Sequence, residues 1–535
     1  MNPEIIWLLI LFATLLGGIL SGIPVILVLA GGPLLVALSA SALGHFDLTY
    51  LAAFPQRALG VMNNSLLIAI PIFVAMGVIL EQSRQAEKML LHMAKLLGQT
   101  KSTLALSVLF VSALIAASTG IIGATIVMLG VISLPAMLRS GVPVGTSSGL
   151  ICAAGTLGQI IPPSIVLILL GDQISNAYIE AQQIAGNFAP DPVSVGHLFA
   201  GALIPGFLLV GLYAVYTLTS LYFKRHQDAP DITGDFAPAQ QVEVDPDEDV
   251  SAWTLLVDIL PPVLLIVAVL GSILMGIATP TEAASVGVAG TLLIAAANLE
   301  GAPRHLATIS KIAAGMTIAA VILQRLDYTR IDFSTGELLF TPGSFIGVLL
   351  AIGILVSLLY CAYWLLRAGL LIDALKKTVE ISAMVFGIII AASMLALVFR
   401  GFEGDEYVQG LFAAVPGGEW GMLLITMLVI FLLGFVLEFV EIVFIVIPIV
   451  GPIILQADFN PIWFAILIAL NIQTSFLTPP FGFALFYFRS VAPPSIKTLD
   501  IYKSVIPYVL LQIVAIGIVL AFPPLTTWLP SILFK

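Results

Sequence analysis

Two proline pairs, in Ile160-Ile161-Pro162-Pro163 and Leu477-Thr478-Pro479-Pro480, interrupt long apolar runs at positions 317 residues apart, and Pro135 answers Pro452 at the same offset. Proline has no N–H, so each pair denies helical partners to the carbonyls four residues earlier: Gly158 and Gln159 in one copy, Ser475 and Phe476 in the other. In an apolar environment such carbonyls are costly unless they line a cavity or coordinate an ion. Gly155, Thr156 and Gln159 surround the first break, and Asn471, Gln473, Thr474, Ser475 and Thr478 the second. Neutral backbone and hydroxyl oxygens of this kind suit a small hard cation such as Na⁺. The helices that restart after each break present positive N-terminal ends, which suit an anion.

The elements that must hold these residues follow from composition. At 60% hydrophobic, 10% charged and a mean hydropathy of +1.12, the chain exceeds the apolar share of about 45–50% found in soluble domains. It is expected to be an all-α polytopic membrane protein. The start, Met1-Asn2-Pro3-Glu4, lacks a basic n-region, and the apolar stretch after it is too long for a cleaved signal, so the first segment is expected to remain. Cys152 and Cys361 lie in separate apolar runs and are read as packing residues, with neither a disulfide framework nor a metal site.

Runs of about 20 apolar residues mark candidate crossings at 4–21, 23–40, 62–81, 146–171, 198–223, 253–275, 281–298, 306–324, 343–366, 379–399, 461–488 and 504–522. Two further apolar pairs, 103–139 and 419–455, turn at polar or glycine-rich centres, Ser118-Thr119-Gly120 and Gly434 to Glu438, and read as re-entrant hairpins. The architecture expected is therefore about twelve crossings plus two hairpins, in inverted repeats with broken helices. Lys and Arg favour the cytoplasmic side. Arg84, Lys88, Lys95, Lys101 and Arg139 flank the first hairpin, whereas Glu403, Asp405, Glu406, Glu419 and Asp458 flank the second, so the halves are expected to be inverted, with both chain ends outside.

The resulting division is 1–61 N-terminal scaffold spans, 62–223 the first repeat, 224–252 an acidic linker, 253–300 scaffold spans, 301–378 inserted spans and a connector, 379–522 the second repeat, and 523–535 a tail. The linker holds eight carboxylates between 226 and 250 with no Lys or Arg, and reads as cytoplasmic and disordered. Segments 84–98 and 368–378 are amphipathic and are expected on the membrane surface. Helix-breaking pairs in corresponding positions of two halves point to the binding site of a transporter.

Glu438 and Glu441 fall near the second turn, where a carboxylate is expensive at membrane depth. Glu438 could join a cation site or bind a proton. A different class of function comes from Gly145-Thr146-Ser147-Ser148-Gly149, a formal G-x-S-x-G. A nucleophilic Ser147 would need a strand-to-helix elbow and a base, and His45, His92, His197, His226 and His305 all fall at loops, surface helices or span ends. The glycines and small hydroxyl residues fit a closely packed helix better.

Gly276-Ile277-Ala278-Thr279-Pro280-Thr281-Glu282-Ala283-Ala284, Gly155-Thr156-Leu157-Gly158-Gln159-Ile160-Ile161-Pro162-Pro163-Ser164 and Thr474-Ser475-Phe476-Leu477-Thr478-Pro479-Pro480-Phe481-Gly482 resemble the large membrane (permease) subunit of tripartite ATP-independent periplasmic (TRAP) transporters, over nearly the whole chain. The resemblance implies an Na⁺-driven importer of organic acids in a bacterial or archaeal cytoplasmic membrane. It implies a small four-helix membrane subunit and a periplasmic binding protein as partners, and an elevator domain moving against a scaffold. The small subunit is expected to be a separate polypeptide. The ion-site candidates are then Ser118, Gly120, Gly155, Thr156, Gly158, Gln159, Glu438, Thr474, Ser475, Phe476 and Thr478. Substrate-contact candidates are Ser118, Thr119, Gln159, Asn471, Gln473 and Thr474, while Thr279 to Glu282 would form a scaffold turn. Na⁺ is the only expected cofactor, as coupling ion. The Gly-Gln-Ile-Ile-Pro-Pro variant and Phe483-Ala484-Leu485-Phe486-Tyr487 resemble the branch linked to lactate, 2-oxo acids and aromatic carboxylates, and residues 303–366 look like an insertion. A self-sufficient H⁺- or Na⁺-coupled carrier of related architecture is the alternative within transport.

Overall fold

A computed structural model describes residues 3–97, 100–120, 122–223, 251–326 and 342–534. Among them there are helices and no strand. In chain order the helices are α1 (Pro3–Leu20), α2 (Val25–Ala42), α3 (Phe54–Met62), α4 (Ala69–Gln82), α5 (Gln85–Leu97), α6 (Lys101–Thr119), α7 (Ile122–Arg139), α8 (Val144–Thr156), α9 (Ile165–Ile184), α10 (Val195–Phe223) and α11 (Ala252–Leu274). There follow α12 (Pro280–Ala297), α13 (Arg304–Arg325), α14 (Pro342–Arg367), α15 (Leu370–Gly401), α16 (Gly404–Ala413), α17 (Gly418–Leu433), α18 (Phe439–Ile454), α19 (Pro461–Leu477), α20 (Phe483–Val491), α21 (Thr498–Ala521) and α22 (Pro524–Leu533). The acidic segment expected to be a disordered linker lies outside the described residues, apart from its last positions.

Ten of these helices are long and apolar enough to cross a membrane, or eleven if the bent pair α16 and α17 counts as one. Several of the expected crossings take another form. The run 62–81 becomes helical only at Ala69, because Asn64 accepts from the Leu66 amide and holds a turn ahead of α4. The runs 146–171 and 461–488 are each divided at their proline pairs, into α8 and α9 and into α19 and α20. The amphipathic segment 368–378 is not a separate surface helix. After a left-handed Gly369 no residue breaks the pattern until Phe402, so these residues form the first turns of the 32-residue α15. The tail contains α22, which packs on α10.

The two halves answer each other in local detail. α4 is followed by Arg84 at φ 55° and then α5; α15 is followed by Glu403 at φ 56° and then α16. Positive φ is uncommon for residues other than glycine, and these two are the only such cases among the described residues. The long helices pack reciprocally, α12 on α4 and α2 on α15. Thr279 and Glu282 form a capping box with Pro280 at the first helical position, so the motif read as a scaffold turn is the start of α12. α13 and α14 form a hairpin joined by Ser310 to Cys361 at 3.4 Å and by His305 to Tyr360 at 2.6 Å.

Polar contacts gather at the two ends of α15. Near its start, Lys377 lies 3.6 Å from Glu81, and α5 reaches α11 and α12 through Lys88 to Asn298 at 3.0 Å and through His92 to Asp258. Near its end, Arg400 makes two bonds to Glu180 of α9, at 2.9 and 3.1 Å, and lies 3.4 Å from Asp405. Lys377 and Arg400 are 23 residues apart on one helix, or about 34 Å at 1.5 Å per residue. The clusters therefore cap opposite ends of a membrane-sized body.

Candidate functional site

In the first repeat, α6 ends at Gly120, whose left-handed backbone (φ 61°) closes the helix as its N–H donates to the Ala116 carbonyl. This end of α6 lies against the break between α8 and α9. A Cβ on Gly120 would sit 3.4 Å from the Ile165 amide, and one on Gly158 would sit 3.1 Å from the Ala116 carbonyl. A Cβ on Gly155 would fall closer still, 2.2 Å from Ile126 Cγ1 of α7. Ser118 and Thr119 belong to the last turn of α6; their side chains lie outside the described residues.

The second repeat reproduces the arrangement with the small residue on the opposite partner. α17 ends before Gly434, and a Cβ there would fall 2.0 Å from the Ser475 hydroxyl of α19. At the 317-residue offset Gly434 corresponds to Ala117, and Ser475 to Gly158. In one half the broken helix contributes the glycine, in the other the hairpin does. Asn471 is tied to the hairpin by a 2.6 Å bond from Nδ2 to the Met427 carbonyl.

The freed carbonyls divide into two groups. Ser164 donates to the Gln159 carbonyl at 2.8 Å, and the Thr478 amide donates to the Ser475 carbonyl at 3.1 Å. Two of the four expected orphans are thus recaptured by neighbours flanking the proline pairs, one after and one before. The Gly158 and Phe476 carbonyls accept no hydrogen bond among the described residues. The hydroxyls have committed their protons: Thr156 to Ala153, Thr474 to Leu470, Ser475 to Ile472 and Thr478 to Thr474, at 2.7–2.8 Å. What such a hydroxyl still offers is a lone pair, which serves a cation or a donor.

Gln159 is fully buried, with neither amide atom bonded. Because the Ser164 hydroxyl turns back to Gln159, the start of α9 has no side-chain cap, and Gly482 leaves α20 equally uncapped. Each restarted helix therefore keeps its first two amides, of Ile165 and Val166 and of Phe483 and Ala484, free among the described residues, as an anion site requires. Gln473 crosses between the repeats, its Nε2 donating to Thr156 at 3.2 Å.

Glu438 has a structural duty that its position near the turn does not reveal. It is the N-cap of α18 in a reciprocal box with Glu441, whose carboxylate accepts from the Glu438 amide at 3.0 Å. Ser147 lies inside α8, away from any strand-to-helix elbow, and a Cβ on Gly149, two residues on, would fall 2.3 Å from the Ser504 carbonyl of α21. Close helix packing accounts for the G-x-S-x-G there. Sequence reading missed Ser164, Tyr213 and Gln512; a hydroxyl or amide inside an otherwise apolar helix was the available signal.

Paired hairpins and proline-broken helices in an all-helical membrane body define a transporter of repeat architecture. Residues 8–326 and 329–525 match the family described as tripartite ATP-independent periplasmic transporter, DctM component. The chain belongs to that family and is a TRAP transporter large permease subunit. It is 25% identical to the C4-dicarboxylate TRAP transporter large permease protein DctM of Vibrio cholerae, covering 98% of this chain and 97% of that one. It is 24% identical to the isethionate TRAP transporter permease protein DctMQ of Oleidesulfovibrio alaskensis, covering 96% of this chain and 65% of that one. The crystal structure of the YdaH transporter of Alcanivorax borkumensis shares the fold, with a TM-score of 0.54, 14% identity and 90% of each chain covered. The matched residues include all of α13 and α14, so the pair set apart as an insertion falls within the family's span.

Proposed function

We propose that this subunit is an Na⁺-coupled importer of organic acids that a periplasmic binding protein delivers, working with a separate small membrane subunit in a cytoplasmic membrane. The observation that carries the reading is the doubled contact of hairpin turn and helix break, each with one unpartnered carbonyl, Gly158 or Phe476, beside hydroxyls whose protons are already committed. Acceptor oxygens without donors favour a hard cation. The free amides at the starts of α9 and α20, together with Gln159 and Asn471, favour a carboxylate, whereas Thr474, its proton given to Leu470, is left to the cation. Ser118 and Thr119 complete the first turn in this reading. The hairpins and broken helices are the moving part, and the packed pairs of α2 with α15 and α4 with α12 are the frame. The chain ends and Glu180 lie outside, and the basic residues of α5 lie inside.

Coupling to Na⁺ is favoured at the first break because no carboxylate stands there to take up a proton. Reconstituted uptake of carboxylic acids, with binding protein and small subunit present and imposed gradients of Na⁺ or H⁺, tests this. Uptake is expected with Na⁺ and not with H⁺ alone. Uptake driven by a proton gradient in Na⁺-free buffer and abolished by Glu438→Gln would sink the sodium reading and make Glu438 the coupling residue.

A further inference from the structure

One ion pair that joins the two halves has a counterpart by sequence position that stands apart. Two offsets relate the halves: 317 residues for the broken helices, set by their proline pairs, and 319 for the long helices, set by the left-handed Arg84 and Glu403. Arg400 of α15 holds Glu180 of α9 through two bonds, at 2.9 and 3.1 Å. By these offsets Glu180 corresponds to Lys497, and Arg400 to Glu81. Offsets obtained without reference to charge thus return a second complementary pair, with the signs exchanged. The two pairs are not in the same condition. Lys497, the N-cap of α21 just beyond α20, is exposed and forms no ion pair among the described residues. Glu81 lies instead 3.6 Å from Lys377 of α15. The helices show the same asymmetry. In the second half α15 packs on α18, the later helix of the hairpin, and α9 packs on α18 as well, so Arg400 reaches Glu180. In the first half α20 packs on α7, the later helix, but α4 packs on α6, the earlier one. Glu81 is thereby kept from the end of α20.

We propose that Glu180 with Arg400 and Glu81 with Lys497 are alternating latches between the moving body and the frame, the first closed in the state seen here and the second closed in the opposite state. They lie at opposite ends of the frame, so a body that engages one must leave the other. Each frame residue has a further partner on the frame to hold it while its latch is open. Glu81 has Lys377, and Arg400 has Asp405 of the adjoining α16, at 3.4 Å. Neither charge is stranded during the exchange, which lowers the cost of opening either latch. Arg400 and Glu180 are 34% and 41% exposed, a degree at which an ion pair shifts an equilibrium only a few-fold. Such a pair biases the balance of states without freezing it, as a repeated cycle requires. The inference rests on the reading of α9 and α20 as parts of the moving body and of α4 and α15 as frame. It adds the residues that select between the two end states.

The test uses the full chain with its small subunit and binding protein in proteoliposomes, in a cysteine-free background. Two cysteine pairs are introduced, Glu180→Cys with Arg400→Cys and Glu81→Cys with Lys497→Cys, and each is bridged by a short, reducible bis-methanethiosulfonate reagent. The first pair is expected to bridge at once and the second more slowly, as the body visits its other state. Either bridge is expected to lower uptake at least about tenfold relative to the same protein after reduction, because the body can no longer complete its motion. Undiminished uptake by the bridged first pair would show that α9 never leaves α15 and would sink the moving-body reading itself. Bridging of the first pair but not the second would overturn the exchange and leave that reading standing. Glu180→Gln is expected to speed bridging of the second pair about twofold to fivefold, the size of an exposed ion pair. An unchanged rate would make the bond from Arg400 to Glu180 a structural brace and overturn the proposal. Without any bridge, Glu81→Lys and Lys497→Glu are each expected to lower uptake about twofold to fivefold, and the two together to return it to within about twofold of the wild type. Single variants without effect, or a double variant no better than the poorer single one, would also overturn it.

Discussion

Gly434 and Ser475 carry the sharpest residue-level constraint in the molecule. A methyl group at 434 would stand 2.0 Å from the Ser475 hydroxyl and 2.7 Å from its Cβ, far inside any tolerated contact. Gly434→Ala is expected to destabilise by about 1–3 kcal/mol, as overpacking of a tight core does, and to reduce uptake. The first repeat suggests the rescue, because there an alanine, Ala117, corresponds to Gly434 and a glycine, Gly158, to Ser475. Gly434→Ala combined with Ser475→Gly is expected to recover thermal stability while uptake stays low, since the Ser475 oxygen is lost. Full recovery of uptake would show that Ser475 is there for packing alone. At the neighbouring break, Thr478→Val removes an oxygen whose proton is already committed to Thr474. It is expected to weaken apparent Na⁺ dependence with little change in melting temperature. Glu438→Gln keeps a side-chain acceptor for the cap of α18, so it is expected to lower uptake yet preserve the Na⁺ requirement, as measured in proteoliposomes.

At the scale of elements, the helix breaks and hairpins were legible because they are written into single residues. A proline's missing N–H and a glycine at a turn declare themselves without knowledge of any partner. Contacts between distant segments did not. That Ser164 recaptures the Gln159 carbonyl, or that Gln473 reaches Thr156 in the other half, depends on which faces meet after packing. The surface assignment of 368–378 went wrong for a related reason. Charges on one face suggested a helix lying flat, whereas Lys377 finds Glu81 on α4 and the segment continues straight into α15. Glu438 looked costly because its cap on α18 was not visible from composition. The break in α8 and α9 can be tested as an element. Pro162→Ala with Pro163→Ala restores two amides that could bond the Gly158 and Gln159 carbonyls and let α8 run on into α9. The protein is expected to insert and fold, since a continuous apolar helix suits lipid, but to lose at least about tenfold in uptake, as one effective ion site is worth a few kcal/mol. Near-normal uptake by a well-folded variant would detach the break from function.

For the whole molecule, the two polar clusters at opposite ends of α15 give the inverted arrangement a physical handle. Glu300 meets Arg84 at one end, 77% exposed, and Glu180 meets Arg400 at the other, 41% exposed. Each helix that separates them is a span by length and composition: α10 and α11 lead from the Glu180 end across and back, and α12 returns to Glu300. The basic residues of α5, Lys88 and Lys95, stand with the Glu300 end, so the positive-inside tendency assigns that end to the cytoplasm. Arg400 does not contradict the assignment, because it is neutralised by Glu180 and Asp405 rather than presented as a free charge. At the same end Arg57, in the short α3, is held below the usual guanidinium pKa by burial and then by the nearby charge of Arg400. In a cysteine-free background, Glu180→Cys is expected to react with a membrane-impermeant maleimide added outside intact cells. Glu300→Cys is expected to react only after the cells are opened. Labelling of both positions from one side would break the odd number of crossings between them and with it the inversion of the two repeats.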